Sequence, residues 1–333
     1  MEYPKFKVCC RCFTFNQAKY ITDAMNGFTM QQTSFPFVCT IVDDASTDGE
    51  PEVIRKYVEE NFDLSEVSVA FHKETDYAHI TYAQHKTNKN CYFAVLYLKE
   101  NHYSQKKSKM PYLDEWRGLC EYEAICEGDD YWIVPDKLQK QVDYLETHPQ
   151  IGLVYTQSDI ILQNSKTIKK QLCGSFNDLE DLFIANPIAT LTIMFKSKLY
   201  EQYIQEVQPS KRGWLMGDYP IYLWFEINSK IGFIPNTTAI YRVLSESASH
   251  SQNLNKMLAF VECHFDIQRY FISKYNLGEH YIILGRKYLY LKKSTYYFQH
   301  KKTLDGIKCG IKAKRMSPKD YMKFMKNLLL SLI

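Results

Sequence analysis

Asp129 and Asp130, in the stretch Glu127-Gly128-Asp129-Asp130-Tyr131-Trp132, are the residues from which chemistry is most readily built. They follow an apolar run, 122–126 (YEAIC), that reads as the end of a buried strand. Ligands of open α/β sheets gather just beyond the strands' carboxyl ends. One carboxylate there can hold a divalent cation of the Mg/Mn kind, which prefers oxygen ligands and is shared with substrate phosphates. Its neighbour can hydrogen-bond a sugar hydroxyl. An acidic pair ahead of a helix opening at Pro135-Asp136 equally suits a cap.

Three further polar clusters bear on that choice: residues 13–16, 43–48 and 217–218. With 127–130, the first two follow expected strands, so an α/β fold would bring the three to one rim. An acid after the second strand can accept from a base or a ribose. A metal-bound pair can hold a diphosphate, and a carboxylate on a later helix can deprotonate a hydroxyl opposite a leaving group. Asp44 and Asp48 could instead cap the helix begun at Pro51, and Asp218 could cap its own helix.

The elements that must position these residues follow from periodicity. Residues 7–13 read as a buried parallel strand, 18–30 as a helix, 37–42 as a second strand and 67–71 (VSVAF) as a third. Pro51 marks the first turn of the helix between the last two. This is one half of a doubly wound α/β sheet. Residues 73–121 are rich in Lys, Asn, Gln and His, with a helix expected near 92–98 (YFAVLYL) and a mobile basic loop at 100–109. After the acidic stretch, a helix with Leu138, Val142 and Leu145 on one face is stopped by His148-Pro149. Strands are expected at 152–156 and 188–195, an aromatic helix after Asp218, a closing hairpin from 231–234 and 241–242, and helices from about Asn253 onward.

At 333 residues, with 45% hydrophobic and 24% charged residues, the composition is that of a globular protein. No apolar run reaches the ~20 residues that cross a bilayer. MEYPKFK lacks a signal's apolar core, and 328–333 (LLLSLI) is too short to span, so a cytoplasmic protein is expected. The ten cysteines are then expected as reduced thiols, and Cys9 and Cys12, though spaced C-x-x-C, as core packing in a strand. The net charge of +3 conceals a basic tail: Arg286 to Lys326 holds thirteen Lys/Arg against Asp305 and Asp320. Such a tail suits nucleic acid, an anionic membrane face or a solvated helix surface.

Taken together, V-C-C-R-C-F-T-F-N, I-V-D-D-A-S-T-D, C-E-G-D-D-Y-W and G-D-Y-P, in this order over residues 5 to 250, resemble the inverting, nucleotide-sugar-dependent glycosyltransferases of family 2. The resemblance implies a GT-A fold, a mostly parallel Rossmann-like sheet with flanking helices, over 1–250 and a helical, basic extension over 251–333. It implies transfer of one sugar from a nucleotide sugar, by default a UDP-sugar, to a glycan or polyprenol-linked acceptor in capsule, O-antigen or lipopolysaccharide synthesis. By position, Phe15 and Asn16 would lie under and beside the nucleobase with the Phe13 backbone nearby, and Asp44 would bond the base. Asp129 would sit near the ribose, Asp130 would coordinate Mn2+ or Mg2+ with His250 as a further ligand, and Asp218 would be the general base. The tail would then dock peripherally on the inner membrane face, with no nucleic-acid partner.

The chain departs from the family pattern in places. Phe13-Thr14-Phe15-Asn16 stands for Pro-Thr-Tyr-Asn, and Gly217-Asp218 for Glu-Asp, while N-x-G-x-x-x-A-x-N is not evident in 73–121. The lack of Q-x-x-R-W argues against a processive synthase. A sugar-1-phosphate nucleotidyltransferase needs a Gly-rich phosphate loop after the first strand, and residues 14–19 hold no Gly. A non-catalytic nucleotide-sugar-binding module on the same scaffold is the alternative.

Overall fold

The computed structural model describes residues 3–163, 168–169, 174–244, 251–313 and 316–332. The chain gathers into two compact units. The first holds Met1–Ser175, Ile188–Glu206 and Ser229–Arg242; the second holds Phe176–Pro187, Val207–Asn228 and Val243–Ile333.

The first unit begins as the periodicity predicts. β1 (Val8–Thr14) and β2 (Phe37–Asp43) are continuous apolar strands, and α1 (Ile21–Thr29) between them turns Ile21, Ala24, Met25 and Phe28 inward. Cys9, Cys10 and Cys12 are buried in β1 and form no disulfide, consistent with core packing. α2 (Glu50–Asn61) carries Pro51 in its first turn behind Gly49, whose φ of 91° suits a residue without a Cβ.

Beyond α2 the expectations need correction. Residues 67–71 form no third strand up to Ala70, and Val67 is 96% exposed. Their alternation had a strand's period but no apolar face to bury. Strands instead form at β3 (Phe62–Asp63) and β4 (Phe71–Glu74), followed by β5 (Ala78–His85). The helix expected at 92–98 is a strand, β6 (Cys91–Leu98), buried throughout and parallel to β2 from Phe37–Cys91 to Asp43–Tyr97. A run buried on both faces carries no periodic signal, so strand and helix look alike in it.

Next come α3 (Asp114–Arg117), β7 (Tyr122–Ile125), β8 (Tyr131–Trp132) and α4 (Lys137–Thr147), which buries Leu138, Val142 and Leu145 as expected. β9 (Ile151–Leu162) and β10 (Ile168–Lys169) pair with each other. After α5 (Leu179–Ile184), the strand expected over 188–195 pairs only as β11 (Met194–Lys196), because Thr190–Thr192 coil into a single 3-10 turn. α6 (Ser197–Val207) and α7 (Tyr219–Asn228) precede β12 (Lys230–Val243), one continuous strand where a hairpin was expected. Pro235 and Asn236, between the two arms of that expected hairpin, form an exposed stretch of the strand.

The sheet runs β3-β5-β6-β2-β1-β7-β11-β9-β12-β8. Its centre, β6-β2-β1-β7, is parallel, with Thr14 opposite Asp43 and Arg11 opposite Ile125. The segments that follow β1, β2 and β7 therefore leave the same edge.

The second unit is helical: α5 and α7, then α8 (Leu254–Tyr275), α9 (Glu279–Gln299), α10 (Thr303–Lys312) and α11 (Pro318–Ser331). Gln268 of α8 donates to Phe183 O and to the Tyr219 hydroxyl, which donates to Leu182 O, tying α5, α7 and α8 together. α9 packs against α5, α8, α10 and α11. Among the described residues no helix is long and apolar enough to cross a membrane.

Candidate active site

The edge shared by β1, β2 and β7 in the first unit brings three of the four chemical segments together. Residues 127–130 turn sharply there, with Gly128 N–H donating to Phe13 O at 3.2 Å and Asp130 N–H to Glu127 O at 3.1 Å. A Cβ on Gly128 would lie 2.7 Å from Thr14 Cβ and 2.5 Å from Gln17 Oε1, so the turn reaches β1 only because this residue has none. Asp44 N–H donates to Thr14 O, joining the second segment to the first.

Both carboxylates of the turn are held at an electrostatic cost. Asp130 is 4% exposed, and its pKa is raised well above the usual value by burial and then by the Asp129 charge. Burial also raises Asp129, against the opposing pull of Arg242 and of a hydrogen bond from Gln17. Arg242, at the end of β12, closes the turn: its backbone N–H donates to Asp130 Oδ1 (2.8 Å) and its Nη1 to Asp129 O (2.7 Å), while Nη2 pairs with Asp23. Tyr20 and Tyr131 flank its guanidinium at 4.9 and 4.5 Å. The sequence treated Arg242 as part of a hairpin and gave it no role.

Glu50 is the second residue missed. Fully buried, it accepts from the Thr14 hydroxyl, from Gln17 N–H (2.9 Å) and from the Ser46 hydroxyl (2.9 Å). Asn16, at a φ of 54°, donates its N–H to Ser46 Oγ and accepts Thr47 N–H, and Ala18 N–H donates to Asp48. The loops after β1 and β2 are thus stitched to one another. Phe15 stands out from them, 44% exposed.

Asp44 faces inward, fully buried. It accepts His102 N–H (2.7 Å), Tyr103 N–H (3.0 Å) and Lys109 Nζ (2.8 Å), and Lys109 in turn stands 5.2 Å from the Phe13 ring centre. The segment expected as a mobile loop at 100–109 is therefore anchored as a wall beside Phe13. Asp43, the adjacent acid, keeps Oδ1 buried without a hydrogen-bond partner, and burial raises its pKa to about 6.

Asp218 lies in the second unit, just ahead of α7, and its carbonyl accepts Ile221 and Tyr222 N–H. His250 lies outside the described residues. No group of three or more His, Cys, Asp or Glu side chains is arranged to hold a metal among the described residues. The pair at 129–130 nonetheless fits a hard cation, offering two adjacent carboxylates, one buried and one half-buried, whose charge the protein balances only in part. Ions of this kind commonly take one or two carboxylates and complete their shell with phosphate and water.

No family model matches the chain. Uncharacterized proteins of Mycobacterium bovis and Mycobacterium tuberculosis are 28% identical over 242 residues, 72% of this chain. The match spans 59% of those relatives' own length. Among solved structures, S. aureus TarS 1–349 in complex with UDP-GlcNAc superposes with a TM-score of 0.53 at 14% identity, covering 97% of this chain and 80% of that one. The mannosyltransferase PcManGT from Pyrobaculum calidifontis, in complex with GDP-Man and Mn2+, gives 0.54 at 14% identity, covering 100% and 82%. The class is thereby defined at the level of architecture: this chain has the GT-A-like fold of glycosyltransferases.

Proposed function

We propose that this chain is an inverting, metal-assisted glycosyltransferase of the family 2 kind. It moves one sugar, without processivity, from a nucleotide sugar, by default a UDP-sugar, to a hydroxyl of a glycan or polyprenol-linked acceptor in cell-surface polysaccharide synthesis. The observation that carries this reading is the Asp129–Asp130 turn, with Asp130 buried and Asp129 half-buried, drawn onto β1 among the stitched loops of one sheet edge.

Phe15 and Asn16 lie under and beside the nucleobase, with the Phe13 backbone near it. Asp44 holds Lys109 and the 102–103 backbone as the wall of that site, so its effect on the base is exerted through that wall. Asp129 accepts from the ribose. Asp130 would hold Mn2+ or Mg2+, with His250 as the proposed further ligand, and Arg242 keeps the turn in place. The cation, when bound, offsets charge on the departing nucleoside diphosphate. Asp218 takes the proton of the acceptor hydroxyl as it attacks the anomeric carbon, and a single displacement inverts that centre. The protein works at the cytoplasmic face of the membrane, docked through 286–333.

Manganese-dependent UDP-sugar turnover tests the assignments. Asp130→Ala is expected to abolish donor binding and turnover together. Asp218→Asn is expected to keep donor binding while transfer falls about 10²–10⁴-fold. Unchanged transfer in Asp218→Asn removes the base assignment. Donor binding without any turnover in the unaltered chain defines the non-catalytic module instead.

A further inference from the structure

The second unit contains a cavity that the sugar-transfer reading does not use. It measures about 340 Å³ and lies among α5, α9 and α11. Leu284, Leu291 and Phe324 give it apolar walls, while Lys287, Lys292 and Lys323 bring three ammonium groups to the same space. Among the described residues only Lys287 of the three has a carboxylate partner, Asp320 at 3.1 Å. Asp320 is further occupied by the Ser317 N–H at the start of α11. Lys292 is half-buried, and burial together with the Lys323 charge lowers its pKa. Two like charges held together beside apolar walls suit an anion that carries a hydrocarbon chain.

We propose that this cavity binds the phosphate headgroup of a membrane lipid, with Lys292 and Lys323 on the phosphate and Leu284, Leu291 and Phe324 along the start of the chain. The bilayer is favoured as the source because α11, which supplies Lys323 and Phe324 to the cavity, exposes Met322, Leu329 and Leu330 to solvent. α10 adds exposed Leu304 and Ile311. Large apolar side chains exposed among lysines form an interfacial surface. The inference rests on the membrane docking of 286–333 and not on sugar transfer.

Vesicle sedimentation of the full chain tests it, with phosphatidylcholine vesicles carrying either phosphatidic acid or phosphatidylglycerol at matched surface charge. The unaltered chain is expected to prefer phosphatidic acid, whose terminal phosphate is open to both lysines. Lys292→Gln/Lys323→Gln is expected to lose about 25-fold on phosphatidic acid, two contacts at roughly fivefold each, and with it the preference. Lys301→Gln/Lys302→Gln, removing equal charge elsewhere, should weaken both lipids alike and keep the preference, whereas Lys292→Arg/Lys323→Arg, which keeps the charge, should keep both the binding and the preference. Thermal melts establish that each variant is folded. A preference absent from the unaltered chain, or intact in Lys292→Gln/Lys323→Gln, overturns the cavity assignment alone. No sedimentation with any anionic vesicle overturns membrane docking as well. Inorganic phosphate that raises the melting temperature only when the cavity lysines are present, with vesicle binding independent of them, makes the ligand a free anion and overturns the lipid.

Discussion

At Gly128 a single hydrogen in place of a methyl group decides whether the acidic turn reaches the first strand. Gly128→Ala forces Thr14 or the turn to move and is expected to cost about 1–3 kcal/mol in urea unfolding, with weaker donor binding in calorimetry. Asp43 makes a different prediction. Burial raises its carboxyl to about 6, above an unfolded value of about 3.9. The folded chain keeps a proton there that the unfolded chain has already lost, so its stabilising contribution is whole below the lower value and gone above the upper one. Stability is expected to fall by about 2–3 kcal/mol as pH rises across that window, and Asp43→Asn to flatten the fall in denaturant melts at stepped pH. The acidic turn was legible because its residues are adjacent and follow a visible strand end. Arg242, Glu50 and Lys109 were not. Each acts on partners distant in sequence, Asp23, Thr14 and Asp44 respectively, and a lone charged residue carries no pattern that announces such a partner.

Elements were legible in proportion to how one-sided their burial is. α4 and α2 have a wet face and a dry face, and both form as the periodicity predicts. β6 is dry on both faces and was mistaken for a helix; residues 67–71 had the period of a strand without a surface to cover. The β1–β2 pair followed from the strand–helix–strand alternation before residue 62 and the β7 end from its apolar run, but β6, the fourth strand of the parallel centre, did not. In the second unit the contact between α10 and α11 depends on the lack of a side chain at Gly310, where a Cβ would lie 2.7 Å from Phe324 Cζ. Gly310→Val is expected to destabilise that helical packing by about 1–3 kcal/mol and to speed proteolysis within 303–332. Gly310 sits inside a helical pattern, where sequence alone reads a glycine only as a weak point.

Over the whole molecule the two units differ in character: one is a sheet with its polar work at a single edge, the other a set of helices with basic and apolar groups exposed together. Leu329→Gln/Leu330→Gln replaces exposed side chains, so its melting should stay within about 0.5 kcal/mol of the unaltered chain. Its flotation with anionic vesicles is expected to drop severalfold. The order of strands in the sheet has a further consequence during synthesis. β1 meets β2 early, but its other edge waits for β7, which begins at residue 122. At ribosomal speeds that interval is on the order of ten seconds. Throughout it a sticky, cysteine-rich ribbon protrudes from the nascent chain with its edge unpaired. Chaperone occupancy on translating ribosomes should therefore crest before the acidic turn emerges and subside once β7 has docked.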